Sequence, residues 1–401
     1  MVTDWNRGQG GAEAYMGWLR SGLRDAGDEV HLLTSGAGSA GDGTADYVAY
    51  GTERMAAQAF LQIVNPFAVR AVRRAVSAFR PELAFVNMFA HHLSPAIFHA
   101  LGDVPIVLSV SDYKCVCPIG SKLLPDNSVC TSPAGWVCCK AGCVSLPHWI
   151  RDRPRYALLR SGIARAARVV ACSEWVRREL ERGGIDSECI HLPVPRPGPD
   201  YARSPVSEPR IVYCGRLDVE KGVEHLVRAF ALVSAANPPA TLRIVGRGPE
   251  RGRLEALARE LRVERQVTFL GWLKPAEIER ELAAAWVLAA PSLWAEPLGL
   301  IALEAMVRGV PVVASAVGGF AETVEDGVSG ILVPNGDVAA LADGLIAIVN
   351  RRHFAQGIPE EVVRRVSDRH DVMRHVIRMR SIFSEVVSAR GRRKQTAGSL
   401  H

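Results

Sequence analysis

The chain has 401 residues, of which 48% are apolar and 22% charged, with a net charge of +6. That balance excludes fibrous, disordered and small disulfide-scaffold proteins and leaves room for two large domains. The excess of arginine is too small and too spread out for a nucleic-acid surface, but suits phosphates, other anionic small molecules or a lipid face.

From the amino terminus, Ala12–Ala26 has apolar residues at Tyr15, Met16, Leu19 and Leu23, which predicts an amphipathic helix. The short apolar runs Val30–Thr34, Leu83–Asn87, Ile106–Val110 and Val169–Cys172 read as buried parallel strands. Only Val2 and Thr3 are available for the buried strand that should precede the Gly8–Gly11 turn, so the expectation is a natural start further upstream and, for this short form, a fragile first domain. Prolines 193, 195, 197, 199, 205 and 209 forbid regular structure and predict a stiff linker over 193–209.

A second series follows. Strands are expected at Arg210–Cys214, Leu242–Val245, Val267–Leu270, Trp286–Ala290, Val310–Ala314 and Gly330–Val333, with helices at Glu224–Ser234 and Leu300–Arg308. The expected organisation is therefore a first α/β domain over 1–192, the linker, a second α/β domain over 210–370, a helix over 371–390 and a disordered tail over 391–401. No apolar run is long enough to span a membrane and no secretory signal opens the chain, so a cytoplasmic location is expected.

Three motifs carry chemistry. In Glu296-Pro-Leu-Gly299-Leu300-Ile-Ala-Leu-Glu304 two carboxylates flank a loop and helix start, placed to accept hydrogen bonds from sugar or ribose hydroxyls. Amides near Gly299 and Leu300 would favour an anion. In Cys214-Gly-Arg216-Leu-Asp-Val-Glu-Lys221-Gly222, two cations stand at a strand's carboxyl end, as a diphosphate requires. The glycines of Gly8-Gln-Gly10-Gly11-Ala-Glu13 let the backbone approach a phosphate. Each motif also has a plain reading as a solvated loop or helix start.

Together, and with Val245-Gly246-Arg-Gly-Pro, Phe269-Leu-Gly-Trp272 and Gly309-Val-Pro-Val-Val-Ala, they resemble the retaining glycosyltransferases of family 4. The resemblance covers nearly the whole chain. It implies the GT-B fold: two Rossmann-like, doubly wound parallel-sheet domains facing across a cleft. It also implies that Arg216 and Lys221 bind the diphosphate of a UDP- or GDP-type sugar, Glu304 its ribose and Glu296 the sugar hydroxyls. The Gly10–Gly11 loop and Gly246 would then lie by the phosphates and Trp272 by the base. No cofactor is required in that chemistry, and the resemblance, to enzymes of polysaccharide and glycolipid biosynthesis, implies as acceptor a glycan, a glycolipid or other lipid-linked acceptor, or a small molecule.

One position departs from the family pattern. Ser111 stands where family members carry His before Asp112-Tyr113. Asp112, His91 and His92 are candidate substitutes, and a catalytically weak or inactive nucleotide- or glycan-binding homologue is the alternative. A nicotinamide-dependent oxidoreductase fits poorly, because Glu13 stands where its fingerprint needs a third glycine; a GT-B sugar epimerase fits the two-carboxylate element less well than a transferase.

Six of the nine cysteines fall between Cys115 and Cys143, read as an insertion in the first domain. Cys117, Cys130, Cys139 and Cys143 are candidate ligands of a structural zinc, with unmodified thiols and disulfides as the other states. Finally, the arginine-rich stretch 151–178 reads either as a solvated face or as a peripheral contact with anionic membrane.

Overall fold

The computed structural model describes residues 1–4, 10–37, 45–201, 203–205, 207–350, 354 and 356–398. It divides into two compact units: Met1–Ser121, Thr131–Leu192 and Val372–His401 form the first, Lys122–Cys130 and Pro193–Asp371 the second.

The first unit is built on seven strands: β1 (Val2–Thr3), β2 (Leu33–Ser35), β3 (Tyr47–Ala49), β4 (Ala84–Asn87), β5 (Ile106–Val110), β6 (Ala166–Ala171) and β7 (Glu188–Cys189). Their order is β3-β2-β1-β4-β5-β6-β7 and every pairing is parallel. The second unit has β8 (Arg210–Cys214), β9 (Thr241–Val245), β10 (Val267–Gly271), β11 (Val287–Ala290), β12 (Val312–Ser315) and β13 (Gly330–Val333), in the order β10-β9-β8-β11-β12-β13, again all parallel. In both sheets the strand order reverses beside the first strand, the switch point outside which ligands of open α/β sheets bind.

Helices form where apolar periodicity and caps agree. Tyr15, Met16, Leu19 and Leu23 are the buried face of Gly11–Asp25, as their spacing predicts. The Asn65 carboxamide accepts from the amides of Phe67 and Ala68 at 3.0 Å and starts the helix Pro66–Phe79, with proline at its first position. Ser173 and Asp337 cap their helices in the same way. In the second unit Ile211, Leu226, Phe230, Ile244, Leu254, Val287, Val313 and Leu345 make one core on a single face of the sheet, where the in-register strand residues meet the helices; each such side chain contributes about 1.5–3 kcal/mol by leaving water.

Several details differ from expectation. The strand β1 has two residues and lies between β2 and β4, with Val2 paired to Leu33 and Val86. The ammonium of Met1 is buried and donates to the His31 carbonyl at 2.7 Å; burial, with Arg20 nearby, pushes its pKa down to about 5. The proline-rich segment is packed on the second unit: the Val194 amide donates to His370 and that of Ser204 to Ala283. The last helix begins at Val372 and continues to Gly398, through the stretch read as a disordered tail. It belongs to the first unit, where His375 meets the Tyr15 hydroxyl at 3.1 Å and Phe383 contacts Phe85.

Candidate functional site

Because the second sheet is parallel, the loops after β8, β9, β10 and β11 open on one edge. Glycine lets the first two interlock. Gly246 has φ 141°, and a Cβ there would lie 1.8 Å from the Gly215 carbonyl oxygen; one on Gly248 would lie 2.2 Å from that of Leu217. The amide of Leu217 donates to Arg247 at 2.9 Å and that of Gly246 to Gly271 at 2.8 Å, so three loop ends are tied together. Trp272 stands exposed beside them with the Arg247 guanidinium 6.0 Å from its ring.

The two charged motifs, 75 residues apart in sequence, meet at one hydrogen bond. Lys221 Nζ donates to Glu296 Oε1 at 2.6 Å, and the Ser292 hydroxyl donates to the same oxygen at 2.7 Å. Both side chains are largely buried, with 14% and 13% exposed. Gly222 makes the approach feasible: at φ 66°, a Cβ would sit 2.0 Å from the Pro291 carbonyl. Lys221 also lies 4.7 Å from the Trp294 ring centroid. Burial acts to raise the Glu296 carboxyl, but the Lys221 ammonium and hydrogen bonds from Lys221, Ser292 and Trp294 outweigh it and hold the group below the usual range. Arg216 is more open, 62% exposed, and is held by Asp218 and by Glu220 Oε1.

After Glu296 the chain turns through Gly299, at φ 80°, into the helix Leu300–Met306. The turn packs on a second glycine pair: the Gly319 amide donates to the Glu296 carbonyl at 2.6 Å, and a Cβ on Gly319 would lie 2.3 Å from Leu298 Cα. The helix has seven residues, shorter than the sequence suggested. Glu304 lies on this helix. Burial pushes its carboxyl up to about 7, against the pull of Arg308. Arg308, which the sequence reading overlooked, is buried and donates to the Glu304 carbonyl and the Glu279 carboxylate; its spacing four residues after Glu304 was the available signal. Burial raises the Cys214 thiol at the end of β8, and Glu304 is the charge that adds most to that rise.

On the corresponding edge of the first unit, Gly10 caps the helix that begins at Gly11, while Gly8 and Gln9 lie outside the described residues. The residue that organises this edge is Asp4, singled out by no motif. Its buried carboxylate accepts from the amides of His91 at 2.6 Å, His92 at 2.9 Å and Leu93 at 2.8 Å. Burial raises it to about 7 despite those bonds. Asp4 thus fixes the backbone that carries His91 and His92; the His92 side chain is buried. Ser111 and Asp112 follow β5. The Ser111 hydroxyl oxygen is buried and has no hydrogen-bond partner among the described residues. Asp112 accepts from the Lys114 amide at 2.9 Å, and burial raises its pKa while Lys114 and Arg155 oppose the rise. Arg155 is 4% exposed and donates to the Ala90 carbonyl at 3.1 Å.

The chain matches the model of the glycosyl transferase 4-like domain over residues 10–195 and that of glycosyl transferases group 1 over 201–361. The chain belongs to the family 4-type glycosyltransferases of GT-B fold. A D-inositol 3-phosphate glycosyltransferase of Nocardia farcinica is 35% identical over 210 residues, 47% of this chain and 46% of that protein. The matched stretches span only 38–46% of the length of such curated relatives. Among solved structures, a sucrose-phosphate synthase from Thermosynechococcus elongatus superposes with a TM-score of 0.74 at 22% identity, covering 97% of this chain and 98% of that one. Anabaena HepE in complex with UDP does so with a TM-score of 0.68 at 21% identity, covering 96% and 98%. These likenesses show the fold, two Rossmann-like parallel-sheet units.

All nine cysteines are thiols, and among the described residues no three His, Cys, Asp or Glu side chains form a group able to hold a metal. Cys130 sits on a small hairpin, bridged at Leu123 and Val129, that groups with the second unit, whereas Cys117, Cys139 and Cys143 belong to the first. The arginines of 151–178 are partly engaged too: Arg151 with Asp152, Arg155 with Ala90, Arg165 with Gly102, Arg177 with Glu174 and Glu181. No described helix is long and apolar enough to cross a membrane.

Proposed function

We propose that this glycosyltransferase moves a sugar from a UDP- or GDP-type nucleotide diphosphate to an acceptor hydroxyl, with retention and without a metal. The observation that carries the reading is the meeting of Lys221 with Glu296, on the sheet edge that also bears Arg216 and Glu304. HepE, of the same fold, was solved with UDP and with UDP-glucose, which supports the choice of donor.

In the proposed reaction the bond between the anomeric carbon and the diphosphate oxygen breaks, and its electron pair stays on that oxygen. Arg216 and Lys221 draw off the developing charge, the role a divalent cation plays elsewhere. Glu296 steadies the Lys221 ammonium and accepts from sugar hydroxyls, while Glu304 accepts from the ribose and Trp272 flanks the base. The acceptor oxygen bonds to the anomeric carbon on the face the diphosphate leaves, and its proton passes to the departing oxygen. Asp112, His91 and His92, all carried by the first unit, are the candidate substitutes for the histidine whose place Ser111 takes. The acceptor is a hydroxyl of a glycan, a glycolipid or a small molecule.

Ser111 favours a second reading, nucleotide binding without transfer, since its short hydroxyl, without a hydrogen-bond partner among the described residues, cannot carry the charge of an imidazole. A panel of nucleotide sugars screened by thermal shift separates the two. Transfer predicts a shift with one donor class, loss of it in Glu304→Ala, and release of free nucleotide when acceptors are added. A shift without release on any acceptor supports the binding reading, and no shift at all rejects both.

A further inference from the structure

Residues 54–80 hold five arginines and no acidic side chain. Within them the helix Met55–Leu61 buries none of its residues, although six of the seven are apolar. Met55 is 83% and Phe60 70% exposed, and exposed Val48, Tyr50, Val64 and Phe67 adjoin them in sequence. The Tyr50 and Phe67 rings meet edge-on at 5.1 Å. Buried Asn65 fixes the arrangement, donating to the Tyr50 carbonyl at 2.9 Å while its oxygen caps the next helix. Arg70 and Arg74 follow Phe67 at the spacing of one helix face. Among the described residues Arg54, Arg70 and Arg74 are exposed and no carboxylate pairs with them.

We propose that this face docks on a bilayer rich in anionic lipid, with Met55 and Phe60 entering the acyl boundary and Arg54, Arg70 and Arg74 meeting headgroup phosphates. An exposed apolar helix accompanied by three exposed arginines, with Glu53 as the acidic neighbour of Arg54, is the composition an interfacial surface requires. It differs from the stretch 151–178, several of whose arginines are bound within the protein. The assignment is independent of whether the chain transfers sugar.

Co-sedimentation of the full chain with vesicles tests it. Binding is expected to phosphatidylcholine mixed with phosphatidylglycerol, absent with phosphatidylcholine alone, and reversed by salt. Met55→Gln with Phe60→Gln should abolish it, and Arg70→Gln with Arg74→Gln should weaken it about thirtyfold, roughly fivefold per charge. No binding by the parent chain overturns the proposal. So does binding that survives both variants or is lost instead in Arg153→Gln with Arg160→Gln. A concentration-dependent dimer that Met55→Gln with Phe60→Gln dissolves, without vesicle binding, assigns the face to a second copy.

Discussion

Glu304 is the residue at which structure and chemistry are most tightly coupled. Its carboxyl stays protonated up to about pH 7 in the folded chain, against 4.5 for an ordinary glutamate, because burial outweighs the nearby Arg308. In the folded state it therefore holds a proton that the unfolded chain has released. The stability this group contributes is complete below about 4.5 and is lost as pH rises through about 7. Binding runs the other way, since a carboxylate accepts from two ribose hydroxyls and a carboxylic acid does so less well. Nucleotide affinity should rise about tenfold between pH 6 and pH 8, measured by calorimetry, and Glu304→Gln should flatten the profile; an unchanged profile in the variant would remove Glu304 from the ribose. Glu296, Glu304, Arg216 and Lys221 were legible because each sits in a motif of charge beside glycine. Asp4 was not, as a single acid after a two-residue strand reads like any surface aspartate. Arg155 was misread with its neighbours, since burial of one arginine in a run of arginines leaves no mark in sequence.

The elements that shape the site are loops closed by glycine. Between Gly246 and Gly215 there is no room for a methyl group, and the φ of 141° is one that side chains avoid. Gly246→Ala should cost about 3 kcal/mol in urea unfolding and abolish nucleotide binding. Gly252→Ala, in a helix where a Cβ meets nothing within 4 Å, should leave stability equal or raised by about 1 kcal/mol. Equal losses in both would show that crowding at Gly246 is not what matters. Strands such as Ile106–Val110 were readable from their apolar runs, whereas β3 and β7, with three and two residues at the sheet edges, give no run to read. Beyond Arg390 the polar chain lacks apolar periodicity, yet the helix carries on to Gly398.

For the whole molecule, alternation of strands and helices on either side of the proline-rich segment was enough to give two Rossmann-like units. That the last helix belongs to the first unit was not readable, because its contacts are made by single residues: His375 on Tyr15, and Val376, whose methyl would lie 2.5 Å from a Cβ on Gly22. The central claim is that Arg216 and Lys221 carry the charge that builds on a departing diphosphate. Its most direct measurement is the rate of nucleotide release from the accepted donor, in excess chelator, for the parent chain and for Arg216→Ala with Lys221→Ala. The account predicts full turnover in chelator and a loss of about a thousandfold or more in the double variant. Turnover that stops on chelation, or that survives neutralisation of both cations, would contradict it.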